Sequence, residues 1–75
     1  MNETTLYSAR GCGRCVATKR ALERKGIAYT EVNLDNDEQA RQMLRERGFH
    51  ELPVIITDTD AWSGFRIDKL EEMGK

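Results

Sequence analysis

The first 34 residues constrain the fold most, because they string a strand, a helix and a second strand together with little slack. Thr4-Thr5-Leu6-Tyr7 is rich in strand formers. Ser8 to Gly13 breaks that run with two glycines. From Arg14 to Lys25 the pattern is helical: Val16, Ala17, Ala21 and Leu22 lie near one face, and Lys19, Arg20, Glu23 and Arg24 cover much of the rest. Gly26 follows where a helix can end in a left-handed residue. Ile27 to Leu34 then reads as a strand, with Ala28, Thr30 and Val32 alternating with Tyr29 and Glu31. Two strands joined through a helix are predicted to run parallel, linked by a right-handed crossover.

The remainder adds a second helix and a hairpin. Asp35-Asn36-Asp37 is a helix-start signal, with Glu38 and Gln39 placed to complete a capping box. This helix runs to about Arg47, turns Ala40, Met43 and Leu44 inward, and closes at Gly48. Pro53 to Thr57 reads as a buried strand, Asp58 to Asp60 as a turn and Ala61 to Ser63 as a short return strand. Gly64 breaks the pattern before a last helix from Arg66 to Met73, with Ile67, Leu70 and Met73 inward. The predicted order is β-α-β-α-β-β-α: an α/β chain with a four-stranded mixed sheet packed by three helices, in a single domain over residues 1–75.

A chain of 75 residues buries roughly 60% of its unfolded surface, so chemistry is expected on the surface and not in an enclosed cavity. Twelve basic and thirteen acidic residues leave a net charge of −1, which argues against nucleic acid or an anionic membrane as the main partner. Residues 1–10 hold no long apolar stretch, and the run from Leu52 to Ile56 is too short to cross a bilayer. The chain is therefore expected in the cytoplasm, as a monomer. That compartment keeps thiols reduced, so its two cysteines are not expected to be a structural staple.

Those cysteines, Cys12 and Cys15, stand in a Cys-Gly-Arg-Cys motif between the first strand and the first helix. A helix start presents unpaired N–H groups and the positive end of the dipole, and both favour thiolate over thiol. Cys12 is expected at the cap, exposed and easily ionised, with Arg10 and Arg14 adding positive charge nearby. Cys15 lies one turn inward on the same side, within disulfide reach. The pattern suits a dithiol that attacks a partner disulfide and ends as Cys12–Cys15, with no bound cofactor. Two other readings stand beside it. Zinc wants four ligands, and the chain offers two cysteines and the distant His50, which leaves only a site bridging two chains in a non-catalytic module. The cysteines could also be idle buried thiols. His50 itself reads as a solvated loop residue, and Tyr7 as a packing residue near the site.

The segment Leu6-Tyr7-Ser8, the Cys12–Cys15 motif, Ala17-Thr18-Lys19-Arg20-Ala21-Leu22, Gly48-Phe49, Leu52-Pro53-Val54 and Trp62-Ser63-Gly64-Phe65-Arg66 together resemble the NrdH-redoxins. These are glutaredoxin-like in sequence and thioredoxin-like in behaviour. The resemblance implies a thioredoxin-like fold and a class Ib ribonucleotide reductase as partner. It also implies re-reduction by thioredoxin reductase, with NADPH used indirectly, and not by glutathione. Pro53 is implied to be cis and beside the cysteines. Trp62, Ser63, Gly64 and Phe65 are implied to shape a docking groove with Leu52 and Pro53, and to obstruct glutathione; without the resemblance, Trp62 in so small a domain reads as a core packing residue. Arg10, Gly13 and Arg14 complete the expected substrate-facing set, and no metal is implied. The competing redox reading is a glutathione-dependent glutaredoxin. Such a protein typically has Pro-Tyr between its cysteines and an acidic pair after the last strand; Gly13-Arg14 and Ser63-Gly64-Phe65-Arg66 stand there instead. The chain also departs from the NrdH pattern at Gly13-Arg14, at Ala9 and at Ile67, where Val-Gln, a basic residue and proline are common.

Overall fold

The structure is a computed structural model, and it describes residues 3–73. Four strands, β1 (Thr5–Ser8), β2 (Thr30–Asn33), β3 (Val54–Ile56) and β4 (Ala61–Ser63), form one sheet in the order β2-β1-β3-β4. Three helices, α1 (Gly13–Arg24), α2 (Glu38–Glu46) and α3 (Ile67–Glu72), pack on it, and a 3-10 turn (Leu34–Asn36) leads from β2 into α2. β1 pairs parallel with β2 and antiparallel with β3, and β3 pairs antiparallel with β4. This is the predicted mixed sheet in the predicted element order.

The pleat sorts side chains between two cores. Leu6 pairs with Ile55, and Ile55 with Trp62, so one row crosses three strands on a single face. That row packs with Ala21 and Leu22 of α1 and Leu70 of α3. On the other face Val54 joins Leu34 and Leu44, with Tyr7, Val32 and Phe49 packed against them. Each fully buried Leu or Ile contributes about 1.5–3 kcal/mol, so the three-strand row is the main brace beneath α1.

Several boundaries and faces differ from the sequence reading. β2 is shorter than Ile27 to Leu34, because Ile27 and Tyr29 pack against the α1-side core before strand pairing begins. On α1 the inward row is Cys15, Thr18, Ala21 and Leu22, and Val16 is 43% exposed. Thr18 fits that row because its hydroxyl donates to the Arg14 carbonyl at 2.8 Å. On α3, Ile67 is exposed, since a six-residue helix turns only Leu70 fully inward. The capping box on α2 is half made. Asp37 is the N-cap and accepts from the Ala40 N–H at 3.0 Å, which puts alanine where Glu38 or Gln39 was expected to return the bond.

Candidate active site

The redox motif sits where the central strand β1 hands over to α1. Gly11 turns the intervening loop with φ +74°, a left-handed conformation that other residues resist. Cys12 is then the N-cap of α1 in extended conformation, and its Sγ accepts a hydrogen bond from the Cys15 N–H at 3.1 Å. Its carbonyl takes the Val16 N–H, the first bond of the helix. No acidic residue lies in the first turn of α1 to offset the positive end of the dipole. Cys15, three residues on, faces the core at 1% exposure, whereas Cys12 is half-buried. The two are joined in a disulfide with a Cα–Cα separation of 5.2 Å, inside the usual range for such a bridge.

Two loops flank this tip. Arg10 donates its N–H to Asp35 at 2.9 Å and approaches the same carboxylate with its side chain, tying the cysteine loop to the 3-10 turn. Arg14 reaches Glu51 at 3.5 Å, tying the helix start to the loop before β3. Both arginines are exposed and partnered, so solvent and the opposing carboxylates screen their charge at Cys12. The backbone dipole is the steadier influence there. The Leu52–Pro53 bond is cis, and Pro53 is buried directly before β3. The Tyr7–Val54 pairing puts Pro53 at the same end of the sheet as the cysteines. Gly64 donates its N–H to the Pro53 carbonyl at 2.8 Å, which brings the end of β4 alongside.

A family model described as Glutaredoxin matches residues 4–62. The Glutaredoxin-like protein NrdH of Escherichia coli K12 is 41% identical over 69 residues, covering 92% of this chain and 85% of the relative. That of Lactococcus lactis subsp. cremoris is 36% identical, covering 92% and 96%. The solved structure of NrdH-redoxin from Escherichia coli, described for its thioredoxin-like activity profile, superposes with a TM-score of 0.92 at 39% identity, covering 95% of this chain and 93% of that one. The chain belongs to the glutaredoxin family, among its NrdH redoxins. This redoxin therefore has the thioredoxin-like fold and is a dithiol–disulfide oxidoreductase with protein disulfides as its partners.

The structure gathers most of the sequence-predicted residues at one end of the sheet. Arg10, Gly13 and Arg14 surround Cys12, while Leu52 and Pro53 lie on the neighbouring strand end, followed by Ser63 and Gly64. Phe65 is 40% exposed just beyond. Trp62 packs in the core and does not take the docking role that the resemblance implied. Its ring belongs to the α1-side core at 6% exposure, with the Lys69 ammonium 5.8 Å from its centroid. It lines a cavity of about 460 Å³ shared with Thr4, Thr57 and Asp60, at the end of the sheet away from the cysteines. Strand alternation explains this: Ile55 and Trp62 share one face, and Val54 and Ser63 the other.

Sequence reasoning missed the carboxylates. Asp35 and Glu51 brace the redox loop, and Glu31 accepts from Ser8 at 2.7 Å and from Lys19 at 3.0 Å. The Ser8 hydroxyl first, and Lys19 second, hold the Glu31 carboxyl below its ordinary range. The alternation of β2 could have placed Glu31 facing α1, but nothing in the sequence reports which loops meet. Among the described residues, no helix is long and apolar enough to cross a membrane.

Proposed function

We propose that this redoxin is a cytoplasmic, monomeric electron donor to class Ib ribonucleotide reductase, re-reduced by thioredoxin reductase at the expense of NADPH. The reduced Cys12 thiolate attacks one sulfur of the partner disulfide and forms a mixed disulfide, and the other partner sulfur leaves as a thiolate and takes a proton. Cys15, once deprotonated, attacks Cys12 Sγ and displaces the second partner thiolate. The partner gains two electrons and two protons, and the redoxin is left with Cys12–Cys15. No bound cofactor enters the cycle.

The observation that carries the reading is the position of Cys12: a half-buried sulfur at the N-cap of α1, backed by the buried Cys15. The choice of donor over glutathione rests on Ser63-Gly64-Phe65-Arg66 next to Pro53, a stretch without the acidic pair that would hold a glutathione amine. The test follows disulfide reduction with NADPH and thioredoxin reductase, and separately with glutathione and glutathione reductase. Turnover through thioredoxin reductase is expected; strong turnover with glutathione alone rejects the reading. A Cys15→Ser variant is expected to trap the reductase subunit as a mixed disulfide, and failure to trap it removes that partner.

A further inference from the structure

Beside Pro53, on the sheet face covered by α2, lies a cavity of about 230 Å³. Its floor is apolar and well packed, made of Leu34, Leu44 and Val54 at 6%, 3% and 1% exposure. Half-buried Phe49 and Leu52 form its walls, and Leu52 is the residue directly before the proline. The groove thus adjoins the redox tip through Leu52 and through Glu51, which contacts Arg14.

The rim is positively charged. Arg41 and Arg45 stand one helical turn apart on α2 and line the cavity together with Leu44. Arg45 approaches Glu38 only at 3.9 Å, and among the described residues Arg41 meets no carboxylate within 4.0 Å. Among the described residues Glu51 is the only carboxylate lining the cavity, and it is turned to Arg14. In a chain of net charge −1, this is a local excess of cation over an apolar floor. The Arg41 guanidinium, without a carboxylate partner among the described residues, and the loosely paired Arg45 beside a hydrophobic depression fit a carboxylate next to an apolar side chain.

We infer that this groove selects among disulfide substrates, taking a peptide segment that carries an apolar side chain and an acidic residue close to its reactive cysteine. The inference rests on the reading of the protein as a protein-disulfide reductant. The apolar side chain fills the depression under Phe49 and Leu52, the carboxylate meets Arg41 and Arg45, and the attached cysteine is held against Cys12. Arg41 and Arg45 are then specificity residues of the thiol–disulfide exchange, acting on substrate capture and not on sulfur chemistry.

The experiment uses the full chain reduced with dithiothreitol and freed of it, so that neither reductase enters. Single-turnover oxidation is followed against three disulfide peptides that flank the cysteine with Leu and Asp, Leu and Asn, or Leu and Lys, and against glutathione disulfide. The Leu-Asp peptide is expected to react about tenfold faster than the Leu-Lys peptide at low salt, with the preference fading as salt rises. The double variant Arg41→Glu/Arg45→Glu is expected to reverse the order, and Arg41→Lys/Arg45→Lys to keep it. The matched charge change Arg20→Glu/Arg24→Glu, on the exposed outer face of α1, is expected to leave the order alone. Reversal cannot come from misfolding, because one substrate must gain rate. Equal rates for all three peptides overturn the inference, as does a change confined to glutathione disulfide. Failure to oxidise with any disulfide overturns the underlying reductant reading instead.

Discussion

Reducing the Cys12–Cys15 bond is expected to cost less stability than closing a disulfide ordinarily provides. The bridge closes a loop of only four residues, and the chain-entropy relation assigns such a loop about 2 kcal/mol. Reduction gives part of this back. The Cys12 sulfur already accepts the Cys15 N–H at 3.1 Å, and as a thiolate it becomes a charged acceptor at a helix start with no acidic residue in its first turn. Charge at that position contributes about 0.3–1 kcal/mol, more where partly buried. The oxidised form is therefore expected to exceed the reduced form by only about 1 kcal/mol above pH 8, a difference in Tm of roughly 4–8 °C. The sign with pH follows from linkage. A thiol whose folded pKa is depressed contributes stability that is present above its unfolded value and lost as pH falls through the folded one. The gap should widen toward about 2 kcal/mol near pH 5. Urea unfolding of both redox forms at the two pH values measures it. A gap of about 3 kcal/mol or more at the higher pH, or one that does not widen at the lower, refutes the cap argument.

Three further outcomes follow from the packing and the ion pairs. Glu31→Gln removes a carboxylate held low by Ser8 and Lys19, so it should flatten the loss of stability below about pH 4; the wild-type contribution is present above the ordinary carboxylate range and disappears as pH falls through the depressed value. With the Glu31 side chain 37% exposed, the cost at neutral pH should be only about 0.5–1 kcal/mol, and an unchanged acid profile counts against the assignment. Leu22→Ala, at 0% exposure in the α1-side core, should cost about 2–5 kcal/mol by urea unfolding, and a loss below about 1 kcal/mol means that α1 is not braced as described. Gly64→Ala meets no atom within 4 Å but must hold φ near +82°, so it should cost about 1–2 kcal/mol; a neutral result shows that the turn beside Pro53 relaxes.

Element order and the redox motif were legible because their signals are local. Glycines punctuate the helices, Leu44 and Leu70 keep helical spacing, and a cysteine before a helix reads as an N-cap from position alone. What the sequence hid depends on rotation or on distance. Val16 and Ile67 look inward on composition, yet each is rotated off the row that the sheet covers and stays exposed. Thr18 looks polar until its hydroxyl is spent on its own helix. Trp62 carries the family resemblance, but its place one residue from Ser63 puts its ring on the opposite face from the groove. Asp35 and Glu51 are ordinary loop carboxylates until the fold brings them to Arg10 and Arg14.

The burial of Cys15 gives a symmetrical reaction a direction. Exchange between dithiols runs equally well through either sulfur, but a large client cannot reach one enclosed to 1% exposure. Every covalent complex must then hang from residue 12, and residue 15 meets only a bond already made. The fold thereby turns two like atoms into a hand that grips and a hand that lets go.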